Sequence, residues 1–581
     1  MSSSIPLASP PGSATLGAPI PNLPHALSVS LPTWASNVGW ASGNEDVVRQ
    51  MHIGYPRFFV HRSILRLAGI CGALATEEGK EPNPMILFPT AAAAAHCVEY
   101  LRRHSAQIQE VDPNEFFCAA FHVDDSAIDQ AFQLEIHGAS FPPPFAKLAK
   151  SFWQHAGLGV SSRYADRVLS LIEADGRELR VGSGDNPILR SNLASEEKLK
   201  IRQRLCALYP IESPEEDKTI ASWNGDRVAV DDMYLYPTGM SAIFHIHQVC
   251  MSMFPARKSV SFGFSYTDTF KVLEKWGPGA HLFFEHPDQN LRDLEALLST
   301  LANSEAGEPS LAAIFCELPS NPLLLSPDLP RLHALAVQHN VPLILDNTVG
   351  DPVTVDALEY ADVVVTSLSK MFSGRANVMG GSLLLNKDSP HFTGFKRLLE
   401  NSYVDDYYHE DAIVMEENSR DFSERVHVAN ANATAICEFV RSQCAPPRGS
   451  APPDKGVTVI KDIFFPKFVA RENFDLVRRR TPRGKTEDAA NNYGTLFTLS
   501  FTSLASATAF FDALPCAKGP SLGTNFTLSC PYTLLGHYNE REWVAGYGVL
   551  EEMVRVSVGL EDMSTLEGWF SEALRAAQEV A

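Results

Sequence analysis

Two hydrophobic periods alternate through the middle of the chain. Between Ser151 and Asn386, stretches with apolar residues every three to four positions are separated by short, β-branched, wholly apolar runs. That is the pattern of helices crossing over between the strands of a parallel sheet. The spacing predicts strands at Ala312–Cys316, Pro342–Leu345 and Asp362–Thr366, each mainly apolar as a strand covered on both faces must be. Leu329–His339 reads as a connecting helix. Strict alternation returns at Tyr493–Phe501 and Val554–Val558, which predicts a smaller α+β unit from about residue 406. Upstream, the aromatic cluster Gly54-Tyr55-Pro56-Arg57-Phe58-Phe59 and the helical patch Ala91–Arg103 precede a break at Pro142-Pro143-Pro144. The first 24 residues are rich in Ser, Pro and Gly and read as a disordered tail. The stretch around Cys444–Asp488, rich in Pro, Gly and charge, is expected to contain surface loops. The organisation expected is α/β: a tail (1–24), an N-terminal region of unassigned role (25–150), a large domain with a mainly parallel sheet (151–405) and a C-terminal domain (406–581).

Composition narrows the function classes. Of 581 residues, 48 are Lys or Arg and 69 are Asp or Glu, a formal charge of −21. Nonspecific binding to nucleic acid or to anionic membranes needs the opposite sign, so neither is expected as a partner. Hydrophobic residues make up 45%, which excludes wholesale disorder and supports a large core. Ten cysteines without a Cys-x-x-Cys pair argue against a disulfide framework or a zinc site. No apolar run reaches the roughly 18 residues of a membrane span. The N-terminus lacks the basic and apolar blocks of a signal peptide. A soluble, cytoplasmic protein is expected.

Chemistry gathers at the strand ends. In open α/β sheets ligands bind beyond the carboxyl ends of the strands, and the three predicted strands run into Glu317-Leu318-Pro319-Ser320-Asn321, Asp346-Asn347-Thr348 and Ser367-Leu368-Ser369-Lys370. A lysine, a carboxylate and paired hydroxyls in one crevice suit pyridoxal phosphate: the amine forms a Schiff base, the carboxylate pairs with the pyridine nitrogen, and the hydroxyls bind phosphate. Tyr236-Pro237-Thr238-Gly239-Met240-Ser241 reads as a turn opening a helix, whose free N–H groups would hold the phosphate. Taken singly, Asp346 is a turn cap, Lys370 a surface lysine, Gly239 a turn glycine and Tyr266 a packing aromatic. Their joint order is what points to a cofactor site.

The segment from Asp346 to Gly374, with YPTGMSAIF, ELPSNP, NSRDF and VRVSVGLED in the same order, resembles the cystathionine γ-synthase and γ-lyase family of Cys/Met-metabolism enzymes. The N-terminal stretches HALSVSLPTW and GYPRFFVH resemble its fungal γ-synthase subgroup. The resemblance implies a fold-type I transferase with pyridoxal 5′-phosphate. It makes Lys370 the Schiff-base lysine and proton shuttle, with Asp346 at the pyridine nitrogen and Asn321 near the 3′-oxygen. Gly239, Met240, Ser367 and Ser369 would hold the phosphate, with Thr348 beside them, and Tyr266 would stack on the ring. Arg555 would clamp the substrate α-carboxylate with help from Ser521. Relatives carry Tyr-Ser-Arg on a loop reaching the neighbouring subunit's phosphate. Here the matching stretch reads Ser161-Ser162-Arg163, which leaves Arg163 in that role without the tyrosine.

The activity so implied is γ-replacement on an O-acyl-L-homoserine, with L-cysteine as nucleophile and cystathionine as product, in a homodimer or homotetramer. The alternatives are a natural-product paralogue joining the same ester to a carbon or nitrogen nucleophile, and a γ-lyase. Ser367-Leu368-Ser369-Lys370 also fits the Ser-x-x-Lys of β-lactamases, but the companion Ser-Asp-Asn and Lys-Thr-Gly elements do not follow it.

Overall fold

A computed structural model describes residues 15–56, 58–125, 133–182, 193–209, 228–302, 311–443, 458–479 and 492–581. Its centre is a seven-stranded sheet in the order Met233–Tyr236, Gly381–Leu385, Val363–Ser367, Leu343–Asp346, Ile314–Glu317, Ser259–Phe262, Ala280–Phe283. Gly381–Leu385 runs antiparallel to both neighbours and the remaining pairs are parallel.

Alternate residues of these strands serve two cores, as the two-residue period of a strand requires. Ile314, Cys316, Leu343, Leu345 and Val364 point into a cluster shared with the C-terminal domain, where Ala429, Phe497 and Val554 lie. Phe315, Ile344, Val363 and Val365 point the other way, against Ile243 and Val249 of helix Gly239–Met253 and against Phe88, Tyr100 and Phe152 of the N-terminal region. Continuous apolar runs are therefore what this layer demands. Each of the three strands ends one residue later than expected, so that Glu317, Asp346 and Ser367 close the strands. The helix expected at Leu329–His339 spans Leu329–Gln338, with Asp328 accepting the Arg331 N–H as its cap.

The C-terminal sheet orders Ile460–Phe464, Leu496–Phe501, Met553–Ser557, Leu528–Cys530, Ala517–Lys518. The expected alternating runs form its centre. Of the stretch expected to contain loops, 444–457 and 480–488 lie outside the described residues, and between them Ile460–Phe464 is an edge strand and Arg471–Val477 a helix.

Two expectations for the N-terminal third are corrected. Residues 15–24 are not simply tail: Pro19–Ile20 pairs antiparallel with Ser28–Val29. The first 14 residues lie outside the described ones. The boundary at 150 also cuts a unit. A four-stranded sheet orders Met85–Phe88, Gln133–Ser140, Phe117–Asp124, Arg180–Val181, and helix Ala146–Ala156 spans the proposed boundary. The triple proline failed as a divider because Pro143–Phe145 forms a single 3-10 turn leading into that helix, where the missing N–H groups are tolerated. No helix among the described residues is long and apolar enough to cross a membrane.

Candidate active site

A cavity of about 120 Å³ opens at the carboxyl ends of the central strands. The residues expected there converge on it: Gly239, Met240, Tyr266, Asn321, Asp346, Thr348, Ser367, Ser369, Lys370, Ser521 and Arg555 all line it.

The candidate phosphate cradle is built by local sequence. Strand Met233–Tyr236 runs into Thr238, whose hydroxyl accepts the Ser241 N–H at 2.9 Å while the Ser241 hydroxyl accepts the Thr238 N–H at 3.0 Å. This reciprocal cap uses the Thr238 and Ser241 N–H groups and leaves those of Gly239 and Met240 for an anion, where the helix dipole favours one. Gly239 has to be glycine, because a Cβ there would sit 2.7 Å from the Ser367 Cβ. Its neighbours on the next strand end are tied in as well: Ser367 N–H donates to Thr348 Oγ1 at 2.8 Å. The Ser369 hydroxyl accepts the Gly380 N–H at 3.0 Å and lies 3.3 Å from the Gly380 carbonyl, so it braces the lysine loop.

Lys370 is 9% exposed. Its Nζ donates to Tyr55 Oη at 2.8 Å, lies 4.7 Å from the centre of the Tyr55 ring and contacts Ser521 Oγ at 3.4 Å. The loop carrying Ser521 can pass this close because Gly523 has φ +69° and no Cβ, which would fall 2.9 Å from the Lys370 Cβ. Ser521 itself has φ +151°, a strained value for a residue with a side chain.

Two carboxylates sit side by side, since Glu317 and Asp346 are paired residues of neighbouring parallel strands. Asp346 accepts the Thr348 N–H at 2.9 Å, and Glu317 accepts the Tyr266 N–H at 2.5 Å. Burial and then the Asp346 charge push the Glu317 carboxyl well above the usual range. Burial also raises Asp346, opposed by its Thr348 bonds and by Lys370. Asp346 is thus the member of the pair better held as an anion, which suits it to a pyridinium. Arg555 donates to Asn321 Oδ1 at 3.1 Å and to the Ser521 carbonyl at 2.7 Å, and it lies over the Tyr532 ring. That places a guanidinium fork at the cavity beside Lys370.

Arg163 is the exception. Within one chain it does not reach this cavity: its guanidinium donates to Asp411 at 2.5 Å and to the Asn377 carbonyl at 2.9 Å, in a second cavity with His25 and His61. A buried guanidinium takes the nearest buried carboxylate, and no spacing in the sequence announced Asp411. Conversely Tyr55, Pro56, Phe58 and Leu27 line the active cavity without having been expected there. The only signal was the aromatic run around Tyr55, which nothing local connects to Lys370.

The donor set fits pyridoxal phosphate: a buried amine, a carboxylate at a strand end, and an N–H cradle that a single Cβ at Gly239 would fill. These features define a pyridoxal-phosphate enzyme of the fold-type I α/β class. Residues 225–575 match the Cys/Met metabolism PLP-dependent enzyme family, and residues 63–161 match the fungal trans-sulfuration enzyme N-terminal domain. The chain belongs to the Cys/Met metabolism PLP-dependent family. A cystathionine gamma-synthase-like enzyme of Amanita muscaria is 38% identical, covering 98% of this chain and 97% of its own. The cystathionine gamma-synthase of Neurospora crassa is 35% identical over 97% and 98%. An alanine racemase of Aspergillus violaceofuscus is 30% identical over 98% of both.

Proposed function

We propose that the protein catalyses γ-replacement on an O-acyl-L-homoserine, with L-cysteine as the nucleophile. The observation that carries this reading is the convergence of Lys370, Asp346, the Gly239 cradle and Arg555 on one cavity. The kinship with cystathionine gamma-synthases along nearly the whole chain supports it.

Bound pyridoxal phosphate supplies an aldehyde that condenses with amines and an electron-poor ring that takes up negative charge from the adjoining carbon. Everything else is the work of the chain. The Gly239 and Met240 N–H groups would hold its phosphate, and Asp346 would keep a proton on its pyridine nitrogen. Arg555 clamps the substrate α-carboxylate and, through Asn321 and Ser521, is fixed relative to the cofactor site. The Lys370 amine is placed to take the proton from Cα and, after passing it on, to take one from Cβ as the γ-acyloxy group departs as a carboxylate. The Tyr55 hydroxyl, 2.8 Å from that amine, holds it in the cavity and relays its proton. The thiol sulfur then bonds to Cγ as its S–H proton passes to the departed carboxylate, and the two protons taken earlier return to Cβ and Cα.

A second reading, replacement by a carbon or nitrogen nucleophile, is favoured by the apolar side of the cavity, formed by Leu27, Phe58, Ile243 and Leu535. Incubation with O-acetyl-L-homoserine and a panel of nucleophiles, read by product mass, separates the two. Cystathionine as the main product supports the first reading. Release of 2-oxobutanoate with no adduct would overturn both.

A further inference from the structure

The N-terminal region, to which the sequence assigns no role, reaches the active cavity from within the same chain. Its first segment lies along the loop that precedes Ser521. Leu31 N–H donates to the Lys518 carbonyl at 3.0 Å. Ser28 Oγ donates to the Pro520 carbonyl at 2.7 Å, and Lys518 Nζ donates to the Pro32 carbonyl at 3.1 Å. The approach is so close that a Cβ on Gly519 would fall 2.2 Å from the Val29 carbonyl oxygen. Leu27 N–H donates to the Ala376 carbonyl at 2.8 Å, just beyond the lysine loop. The chain then returns through Met51 and Ile53, which share a small core with Val29 and Leu31. That return sets Tyr55, Pro56 and Phe58 on the cavity, with the Phe58 and Tyr55 rings 5.4 Å apart.

The segment therefore does two things at once. It braces the strained Ser521 loop beside Arg555 and Lys370, and it contributes Leu27, Pro56 and Phe58, three uncharged side chains, to the cavity surface. A group entering against them gains by apolar contact and pays to bring in an unpaired charge.

We propose that this N-terminal segment is the specificity element of the site: Leu27 and Phe58 bound the space from which the nucleophile approaches Cγ, and they restrict it to compact nucleophiles whose attacking sulfur or carbon is flanked by apolar groups. The proposal rests on the γ-replacement reading for the identity of the entering group, but the wall itself does not depend on that reading. A difference of one or a few methylenes in such a pocket is worth about 10- to 200-fold in selectivity.

The test uses the full-length holoenzyme with Phe58→Ala, Phe58→Leu and Leu27→Ala, each first checked for cofactor binding by fluorescence quenching. O-Acetyl-L-homoserine is supplied with equal L-cysteine and 2-phenylethanethiol, and product masses are compared. Phe58→Ala is expected to move the product ratio toward the bulky thiol by about tenfold or more, with Phe58→Leu in between. An unchanged ratio accompanied by a uniform fall in rate would overturn the proposal, since a merely structural role predicts that result. If the wild type forms no adduct with any nucleophile, the γ-replacement reading fails. The wall is then judged by absorbance titrations with L-2-aminobutyrate and L-norleucine. Phe58→Ala should tighten norleucine relative to aminobutyrate by a similar factor, and an unaltered ratio overturns the wall as well.

Discussion

At the scale of residues, the site depends on what surrounds one amine. Lys370 sits between the Tyr55 hydroxyl and Ser521 with the Asp346 and Glu317 carboxyls nearby. Lys370→Ala is expected to abolish the yellow, borohydride-sensitive absorbance and to lower kcat by at least about 10²–10⁴-fold, the usual worth of a positioned proton-transfer group. Tyr55→Phe keeps the ring over the Lys370 amine and deletes only the hydroxyl. Losing that one hydrogen bond predicts a fall of about tenfold in kcat with cofactor binding retained; an unchanged kcat would remove Tyr55 from the proton path. Lys370, Asp346 and Asn321 were legible because each lies at, or within four residues of, the end of a recognisable apolar strand. Tyr55 was not, because it lies 315 positions from its partner and no local pattern encodes a contact at that separation. Nor was the Arg163 partner within its own chain legible, because Asp411 is 248 positions away.

At the scale of elements, the junctions between strand and helix carry the function. The Thr238 cap leaves two N–H groups free at the start of a 15-residue helix, and glycine lets that helix end close on Ser367. Gly239→Ala is therefore expected to push the cradle off the strand end and to weaken pyridoxal phosphate binding by about tenfold or more, in line with a lost backbone contact to a charged group. Fluorescence titration of the apoprotein measures it. The turn after Leu343–Asp346 carries a second consequence. Asp351 is buried and caps this turn through Val353 and Thr354, and burial pushes its carboxyl up to about 7 from an unfolded value near 3.8. Between those values the unfolded chain gives up a proton that the folded chain keeps. Asp351 therefore costs stability progressively as pH rises from about 4 to about 7, and the full cost is present above that window. Asp351→Asn stays neutral throughout, so its urea midpoint should vary less with pH across this window than that of the wild type. Parallel pH profiles for the two proteins would contradict the assignment.

At the scale of the whole molecule, the central sheet is a shared wall between two cores, so a truncation on either face is felt throughout. Ile344, 1% exposed and packed toward the N-terminal side, is expected to cost about 2–5 kcal/mol as Ile344→Ala, seen as a lower urea midpoint. The class of fold, the order of the central strands' chemistry and the cofactor were determined by the sequence alone. Hydrophobic period and strand-end polar residues are local properties, and the sheet's geometry brings the strand ends together whatever the rest of the chain does. The limits of the N-terminal domain, the pairing of Arg163 and the entry of Leu27, Tyr55 and Phe58 into the cavity were decided only by tertiary structure. Arg163 is held by Asp411 and Asn377, while the entry of Leu27, Tyr55 and Phe58 depends on how a region far away in sequence packs across the Lys518–Leu522 loop, a packing set by shape and buried hydrogen bonds between segments hundreds of residues apart.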